Sequence, residues 1–362
     1  MKNLEASREI SCASSRGTVN RSICCLEQLG GKSRQEKFLV KIRSMALRCG
    51  KAVVVIALIA VVNFFLVRMA PGDPAQVMAG QSGASDEIYL AQLRKEFGLD
   101  QPLSTQLGVY ANHLVHLDLG YSHRQQQPVL TLIMERLPAT LLLTGIAFVL
   151  SVSLGVLLGV LSAHRVGSWT DTAISAAALL FYATPIFWSG LLLVLIFSVG
   201  LNWLPAYGYS SIGANKTGLQ AVLDVARHAI LPVATLSLFY VAIYARLARA
   251  SMLEVSRLDF VKTARAKGLP ERQVLVSHVL RNALLPIITY AGIHAGGLVG
   301  GSIVVETIFA WPGVGRLAFE AVSQRDYGVL LGVFFVISVI VVGVNLLTDF
   351  IYAYVDPRIE LS

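Results

Sequence analysis

His294 and Ser302 are of the side-chain types that can act as base and nucleophile, and both lie in one apolar run. Together they would indicate an intramembrane hydrolase, one alternative for this chain. They are eight positions apart, about 12 Å along a helix, so they do not hydrogen-bond directly. The run also lacks a Gly-x-Ser-x-Gly elbow. His294 therefore either lines a pore or is satisfied between packed helices.

The sequence also shows no clear motif for binding a nucleotide or a metal ion. Gly31-Lys32-Ser33 resembles the end of a phosphate-binding loop, but Leu26 stands where that motif requires glycine. The cysteines imply no disulfide framework and lack the spacing of a zinc site. They are Cys12, Cys24, Cys25 and Cys49. We expect no catalytic residue, no metal and no cofactor in this chain.

The composition predicts that lipid surrounds most of the chain. Hydrophobic residues make up 55% and charged residues 14%, with a mean hydropathy of +0.63. A spanning helix needs about 20 mostly apolar residues. Six runs qualify, which predicts an all-α polytopic membrane protein. The runs are 52–70, 138–161, 172–199, 229–246, 283–305 and 329–352.

Charge sets the expected topology. The net charge of +8 comes from Lys and Arg clustered in particular loops, a membrane pattern that argues against nucleic acid as a partner. Basic residues, Arg246 among them, are dense before the first run, between the second and third, and between the fourth and fifth. Both termini are therefore predicted to be cytoplasmic, with 71–137 as an outer region containing short helices.

The remaining segments flank a transmembrane domain predicted to cover 52–353. Residues 1–36 are polar and aperiodic, which indicates a disordered extension or a start codon placed too far upstream. Residues 37–51 have the spacing of a basic amphipathic helix in the membrane interface. Residues 354–362 form a short cytoplasmic tail.

Small residues recur every four positions in two runs, a spacing that lets helix backbones approach closely. We predict helix packing at Ser151, Gly155, Gly159, Gly292, Gly296 and Gly300. Pro185, within the third run, is expected to kink or break its helix.

A cytoplasmic loop, predicted at 247–282, is too polar to span and too regular to be unstructured. Ser256–Lys267 has the pattern of a short helix, with Asp259 as candidate N-cap and Gly268-Leu269-Pro270 as its stop. Inert loops between membrane helices are usually short. An ordered basic helix here indicates a docking element for a cytosolic partner.

Several motifs in order resemble permease subunits of binding-protein-dependent ABC importers, in the dipeptide, oligopeptide and nickel branch. The resemblance covers about Lys37 to Ile359. Its motifs are Ala70–Ala75, Arg136–Thr140, Thr184–Gly190, Leu204–Ala206, Leu231-Pro232, Asp259–Gly268, Arg281–Pro286, Glu306–Arg316 and Arg325–Tyr327. The segment Ala70–Ala75 and the long outer region resemble the B-type member of the paired permeases.

The resemblance implies a type I importer permease fold whose loop helix docks in a groove of an ATPase subunit. That role is carried onto Asp259, Phe260, Val261, Lys262, Thr263, Ala264, Arg265, Ala266, Lys267 and Gly268. Lys262 stands where the wider superfamily often has Glu. The implied partners are a second, C-type permease, two ATPase subunits that bind ATP and Mg²⁺, an extracytoplasmic solute-binding protein and membrane lipid. The implied mechanism is alternating access.

A proton-coupled carrier or passive channel is the other alternative, and it would need ionisable residues inside the spans. The runs are nearly free of them, with Asp349 near one end as the main exception. Candidate pore-lining residues are Tyr182, Pro185, Trp188 and His294. Dipeptides, oligopeptides, glutathione-like compounds and nickel chelates all remain open as substrates.

Overall fold

The computed structural model describes residues 45–66, 69, 95, 100–122, 124–211, 213 and 216–355, with only the backbone described at 299, 301 and 351–355. The chain divides into two units, Met1–Val55 with Arg358–Ser362, and Ile56–Pro357. Of the first unit only residues 45–55 are described, and they are helical. The predicted extension at 1–36, the motif Ala70–Ala75, most of 71–99 and residues 356–362 lie outside the described residues.

The described chain is almost entirely helical. Its first half contains α1 (Met45–Leu66), α2 (Leu103–Val115), a small antiparallel hairpin of β1 (Tyr121–Ser122) and β2 (Gln127–Pro128), α3 (Val129–His164), α4 (Trp169–Ala183) and α5 (Ile186–Leu193). Helix α5 runs on as a π-helical turn, Val194–Gly200.

The second half contains α6 (Leu219–Ser256), α7 (Asp259–Ala266), α8 (Glu271–Gln273), a π-helical segment Val274–Leu280, α9 (Arg281–Ile308), α10 (Val314–Gln324) and α11 (Tyr327–Val355). The helical path continues from α8 through the π-helical segment into α9, because the residues at both joins keep right-handed helical angles.

The fold class predicted from composition is confirmed, since five of the described helices are long and apolar enough to cross a membrane, or six with α4 and α5 counted as one broken span. That broken span is the predicted run 172–199. It is bent by 107° at Thr184-Pro185, because proline cannot continue the hydrogen-bond ladder of α4.

Several predicted boundaries differ from the structure. The described helix α1 passes without a break through residues 45–52, so the predicted change from interfacial helix to span at 51 is not seen. Helix α3 begins at Val129, inside the predicted outer region, because Val129 and Ile133 are buried against α10. Helix α6 extends to Ser256, well into the predicted loop, because Met252 is buried beneath α7.

Close packing of α3 on α6 forms the centre of the fold. A Cβ added at Gly159 would lie 2.5 Å from Ala248 Cβ, and one at Gly155 would overlap Tyr244. Ser151 is buried beside them, and its hydroxyl donates to the Ala147 carbonyl at 2.6 Å. These small residues therefore hold two long helices in backbone contact, as their spacing predicts.

The second set of small residues is only partly used. A Cβ at Gly292 would overlap Thr348 of α11, and one at Gly296 would lie 3.0 Å from Val341. Gly300 is exposed, and no described atom lies within 4 Å of its Cβ position. The prediction for Gly300 therefore does not hold within the described chain, because α9 and α11 meet at the two glycines nearer the start of α9.

Candidate coupling and translocation sites

Helix α7 is the short helix that the sequence predicts in the polar loop, but it starts later than expected. Leu258, with extended backbone angles, is its N-cap, and Asp259 is the first helical residue. Asp259 therefore acts through its charge at the positive end of the helix dipole, where an acidic side chain is favoured. Gly268 has φ of +75°, a left-handed conformation that terminates helices, so the predicted stop is found.

One side of α7 is buried against the chain itself. Val261 and Ala264 are 0% and 5% exposed and pack in one apolar cluster with Met252 of α6, Val274 and Ala283. Burial of these side chains anchors α7 to α6 and to the start of α9. Val261 and Ala264 were predicted to contact a partner, and the structure corrects this: they face inward.

The opposite side of α7 is open. Phe260 is 42% exposed, and Leu258 before it is 46% exposed. The exposed members of the predicted docking set are Asp259, Phe260, Lys262, Thr263, Arg265, Ala266, Lys267 and Gly268. A half-exposed phenylalanine among charged side chains is the pattern of a binding surface, since aromatic residues dominate interface energetics. We call these eight residues the outward face of α7.

Two ion pairs lie on the outward face of α7, and they differ in strength. The guanidinium of Arg265 donates to both carboxylate oxygens of Glu271, at 2.7 and 3.2 Å, and so fixes the end of α7 to α8. The Glu271 carboxylate raises the pKa of Arg265 above its ordinary value. Lys262 pairs with Asp259 at 2.8 Å, but both side chains are exposed, so this pair stabilises α7 little.

The break between α4 and α5 carries three of the predicted pore-lining residues. Tyr182 and Trp188 are 47% and 49% exposed, and Pro185 is exposed between them. A helix end leaves backbone N–H or C=O groups without helical partners, so a broken span presents polar backbone at membrane depth. Such breaks recur at substrate sites in transporters.

Aromatic rings connect the fourth predicted pore-lining residue to this break. The His294 ring stacks on Tyr290 with centroids 4.1 Å apart and meets Tyr240 edge-on at 6.4 Å. Tyr240 contacts Phe239, whose ring stacks on Tyr182 at 5.8 Å. Helices α4, α6 and α9 thus share one row of rings.

The base and nucleophile of the hydrolase alternative do not meet. Ser302 donates its hydroxyl proton to Glu306 Oε1 at 3.0 Å, while His294 lies in the row of rings. Within the residues that the structure describes, no group of three or more His, Cys, Asp or Glu side chains could hold a metal ion.

Glu306 is the residue that sequence reasoning missed. It is 0% exposed at the end of α9, and its carboxylate accepts the hydroxyl of Thr140 at 2.9 Å and the N–H of Arg316 at 2.9 Å. Backbone donation from Gly315 adds a further bond. The carboxylate therefore caps the start of α10 and ties it to α3 and α9.

The residues around Glu306 complete this junction. Val314 donates its N–H to Thr140 Oγ1 at 2.8 Å, and Trp311 donates its indole N–H to the Ala139 carbonyl at 2.9 Å. A Cβ at Gly313 would overlap the Glu306 carboxyl group. From the sequence, Glu306 was identified only as part of the motif Glu306–Arg316. A single Glu beside an apolar run does not indicate which groups will donate hydrogen bonds to its carboxylate.

Two family descriptions match the chain. "Binding-protein-dependent transport system inner membrane component" matches residues 155–361, a range that contains α7 and the broken span. "Binding-prot-dependent transport system membrane comp, N-term" matches residues 38–144.

Individual proteins are similar over most of the chain. A putative peptide transport system permease protein of Brucella abortus is 41% identical over 313 residues, covering 86% of this chain and 97% of the relative. The dipeptide transport system permease protein DppB of Escherichia coli is 38% identical over 319 residues, covering 83% and 94%. A solved inward-facing MetNI methionine ABC transporter chain has a TM-score of 0.49 at 20% identity, covering 63% and 97%.

Proposed function

The chain belongs to the family of binding-protein-dependent transport system inner membrane components, and from this premise we propose that it forms half of the translocation pathway of an ATP-driven peptide importer. It is a multi-pass protein of the cytoplasmic membrane. Relatives that match nearly their whole length are named as peptide or dipeptide permeases, which supports peptides as the substrate class.

The observation that carries the proposal is the two-sided packing of α7. Val261 and Ala264 fix the helix to its own chain, while Phe260 and its charged neighbours stay open. An exposed aromatic side chain among charged neighbours, on a helix fixed from its other side, suits a protein interface. The outward face of α7 docks on an ATPase subunit, which brings the ATP and Mg²⁺ that this chain does not bind.

The apolar cluster that fixes α7 to the chain also connects α7 mechanically to the helices of the translocation pathway. Its cluster includes Met252 on α6 and Ala283 on α9, and these two helices carry Tyr240 and His294 in the row of rings. A docked ATPase that shifts α7 therefore moves both ring-bearing helices as packed bodies, since close-packed interiors transmit displacement. Alternating access follows when a second permease completes the cavity.

The remaining partners follow from the same function. A C-type permease supplies the other half of the pathway, a second ATPase docks on that permease, and an extracytoplasmic solute-binding protein delivers the peptide. With α7 on the ATPase side, the region that contains α2 and the hairpin faces the binding protein. No nucleic acid takes part.

Uptake in cells tests this function. The gene would be deleted in a strain that lacks other peptide importers, and entry of radiolabelled alanyl-alanine measured with and without a plasmid copy. We expect entry to fall to background on deletion, return with the plasmid copy, and stop when cellular ATP is depleted. Uptake that survives ATP depletion but stops with a protonophore would instead establish a proton-coupled carrier.

A further inference from the structure

Arg246 lies in an unusual place for a charged side chain. It is on α6, one turn before Arg249, whose guanidinium binds both carboxylate oxygens of Asp171 at 2.7 and 2.9 Å. Asp171 is in the first turn of α4. The Arg249–Asp171 pair therefore joins α6 to the start of α4.

The side chain of Arg246 lies over the ring of Tyr182 on α4. Its guanidinium carbon is 5.4 Å from the ring centroid of Tyr182, within cation–π distance. Tyr182 is eleven residues beyond Asp171 on α4, about 16 Å further along the helix. A basic side chain near a span end normally extends toward the polar interface, whereas Arg246 contacts an aromatic ring of a neighbouring helix.

The charge of Arg246 has no carboxylate partner within the part of the chain that the structure describes. Among the described residues no carboxylate pairs with it, whereas Arg249, Arg265 and Arg316 each have one. Arg246 is exposed, and so is Tyr182. A guanidinium that is exposed and has no carboxylate partner is available to bind an anion.

We propose that Arg246, held over Tyr182, binds the carboxylate of the transported solute as it passes through the membrane. The inference rests on the proposed function and assigns a residue to the pathway. A guanidinium presents a planar fork of donors that matches a carboxylate, and stacking on a ring keeps those donors free. Phe239, stacked on Tyr182, fixes the ring that supports Arg246.

The nearby helix break supports the same assignment. Tyr182 is two residues before Thr184, where α4 ends and the chain turns by 107° into α5. A helix break leaves some backbone groups without helical partners, and such groups can bind the amide groups of a peptide without selecting its side chains. The fixed positive charge of Arg246 beside backbone groups of the helix break suits solutes that share a carboxylate but differ in their side chains.

The test uses the complete importer in cells without other peptide importers, with radiolabelled alanyl-alanine as probe. Variants are Arg246→Gln, Arg246→Lys, and Arg165→Gln, which removes the same charge from the exposed loop between α3 and α4. We expect maximal uptake to fall about tenfold or more in Arg246→Gln, because a charge-assisted hydrogen bond is lost. Arg246→Lys keeps the positive charge but loses the planar fork and its stacking, so its uptake should lie between those of Arg246→Gln and wild type, whereas Arg165→Gln should match wild type.

Controls separate this inference from folding and from the proposed function. Recovery of the second permease and the ATPase with Arg246→Gln should equal that of wild type, as should ATP hydrolysis without solute. Uptake by Arg246→Gln within twofold of wild type overturns the inference. Loss of the second permease also overturns it, because Arg246 would then pair with that subunit. Absence of wild-type uptake would instead contradict the proposed function.

Discussion

Replacement of Glu306 by alanine is expected to destabilise the folded chain strongly. The change removes the acceptor for the hydroxyls of Thr140 and Ser302 and for the N–H of Arg316, all at a fully buried site. Buried donors without acceptors, together with the cavity left by the side chain, cost about 3–5 kcal/mol. That is a large fraction of the stability of a typical protein, about 5–15 kcal/mol.

Size-exclusion chromatography and thermal unfolding of the detergent-purified chain would measure the effect. Glu306→Gln keeps the shape and one acceptor oxygen, so we expect an intermediate loss of about 1–3 kcal/mol. The matched control is Glu320→Ala on α10, which removes only a partly exposed ion pair with Arg316 and should change stability by less than about 1 kcal/mol. Wild-type stability in Glu306→Ala would show that the junction of α3, α9 and α10 does not depend on its carboxylate.

Phe260→Asp is expected to abolish ATP-driven uptake while the chain stays folded. Phe260 is 42% exposed, so the core of the chain does not depend on it as it depends on Val261. Loss of an aromatic anchor from an interface typically costs about 2–4 kcal/mol, and the new carboxylate adds desolvation. Affinity for the ATPase should fall about thirtyfold or more.

Co-purification from cells that express all subunits distinguishes docking from folding. With Phe260→Asp the ATPase should be lost and the second permease kept. Phe260→Leu preserves the apolar surface and should retain the ATPase. Val261→Asp buries an unpaired charge in the anchor of α7 and should lower recovery of the chain itself. Full recovery of the ATPase with Phe260→Asp would show that it docks elsewhere.

The spacing of residue types predicted much of the fold. Gly155 and Gly159 lie against α6 as expected, and Pro185 breaks its span. Gly300 follows Gly296 at the same four-residue spacing, yet no described atom lies near its Cβ position. Spacing defines a face of the helix but does not show which neighbouring helix covers that face. Only the path of α11 decides which glycines of α9 are packed.

The sequence predicted the helix that carries the docking surface, but not which of its residues face outward. Val261 and Ala264 are the apolar pair at helical spacing in a charged segment, so their inward orientation could have been read from periodicity. Arg246 was counted among the basic residues that indicate the cytoplasmic side, at the end of the run 229–246. Its contact with Tyr182 depends on how α4 crosses α6. The pattern of residue types along the sequence does not give that crossing.

Cysteine cross-linking tests the central claim, that the outward face of α7 touches the ATPase. The chain's four cysteines all precede residue 50 and can be replaced by serine. Single cysteines would then be placed at Ala266, which is exposed, and at Ala264, which is 5% exposed and faces inward. In the assembled importer, Ala266→Cys is predicted to cross-link to the ATPase through a short bifunctional reagent, and Ala264→Cys is not. A cross-link to the ATPase at neither position, with the complex intact, would contradict docking through α7.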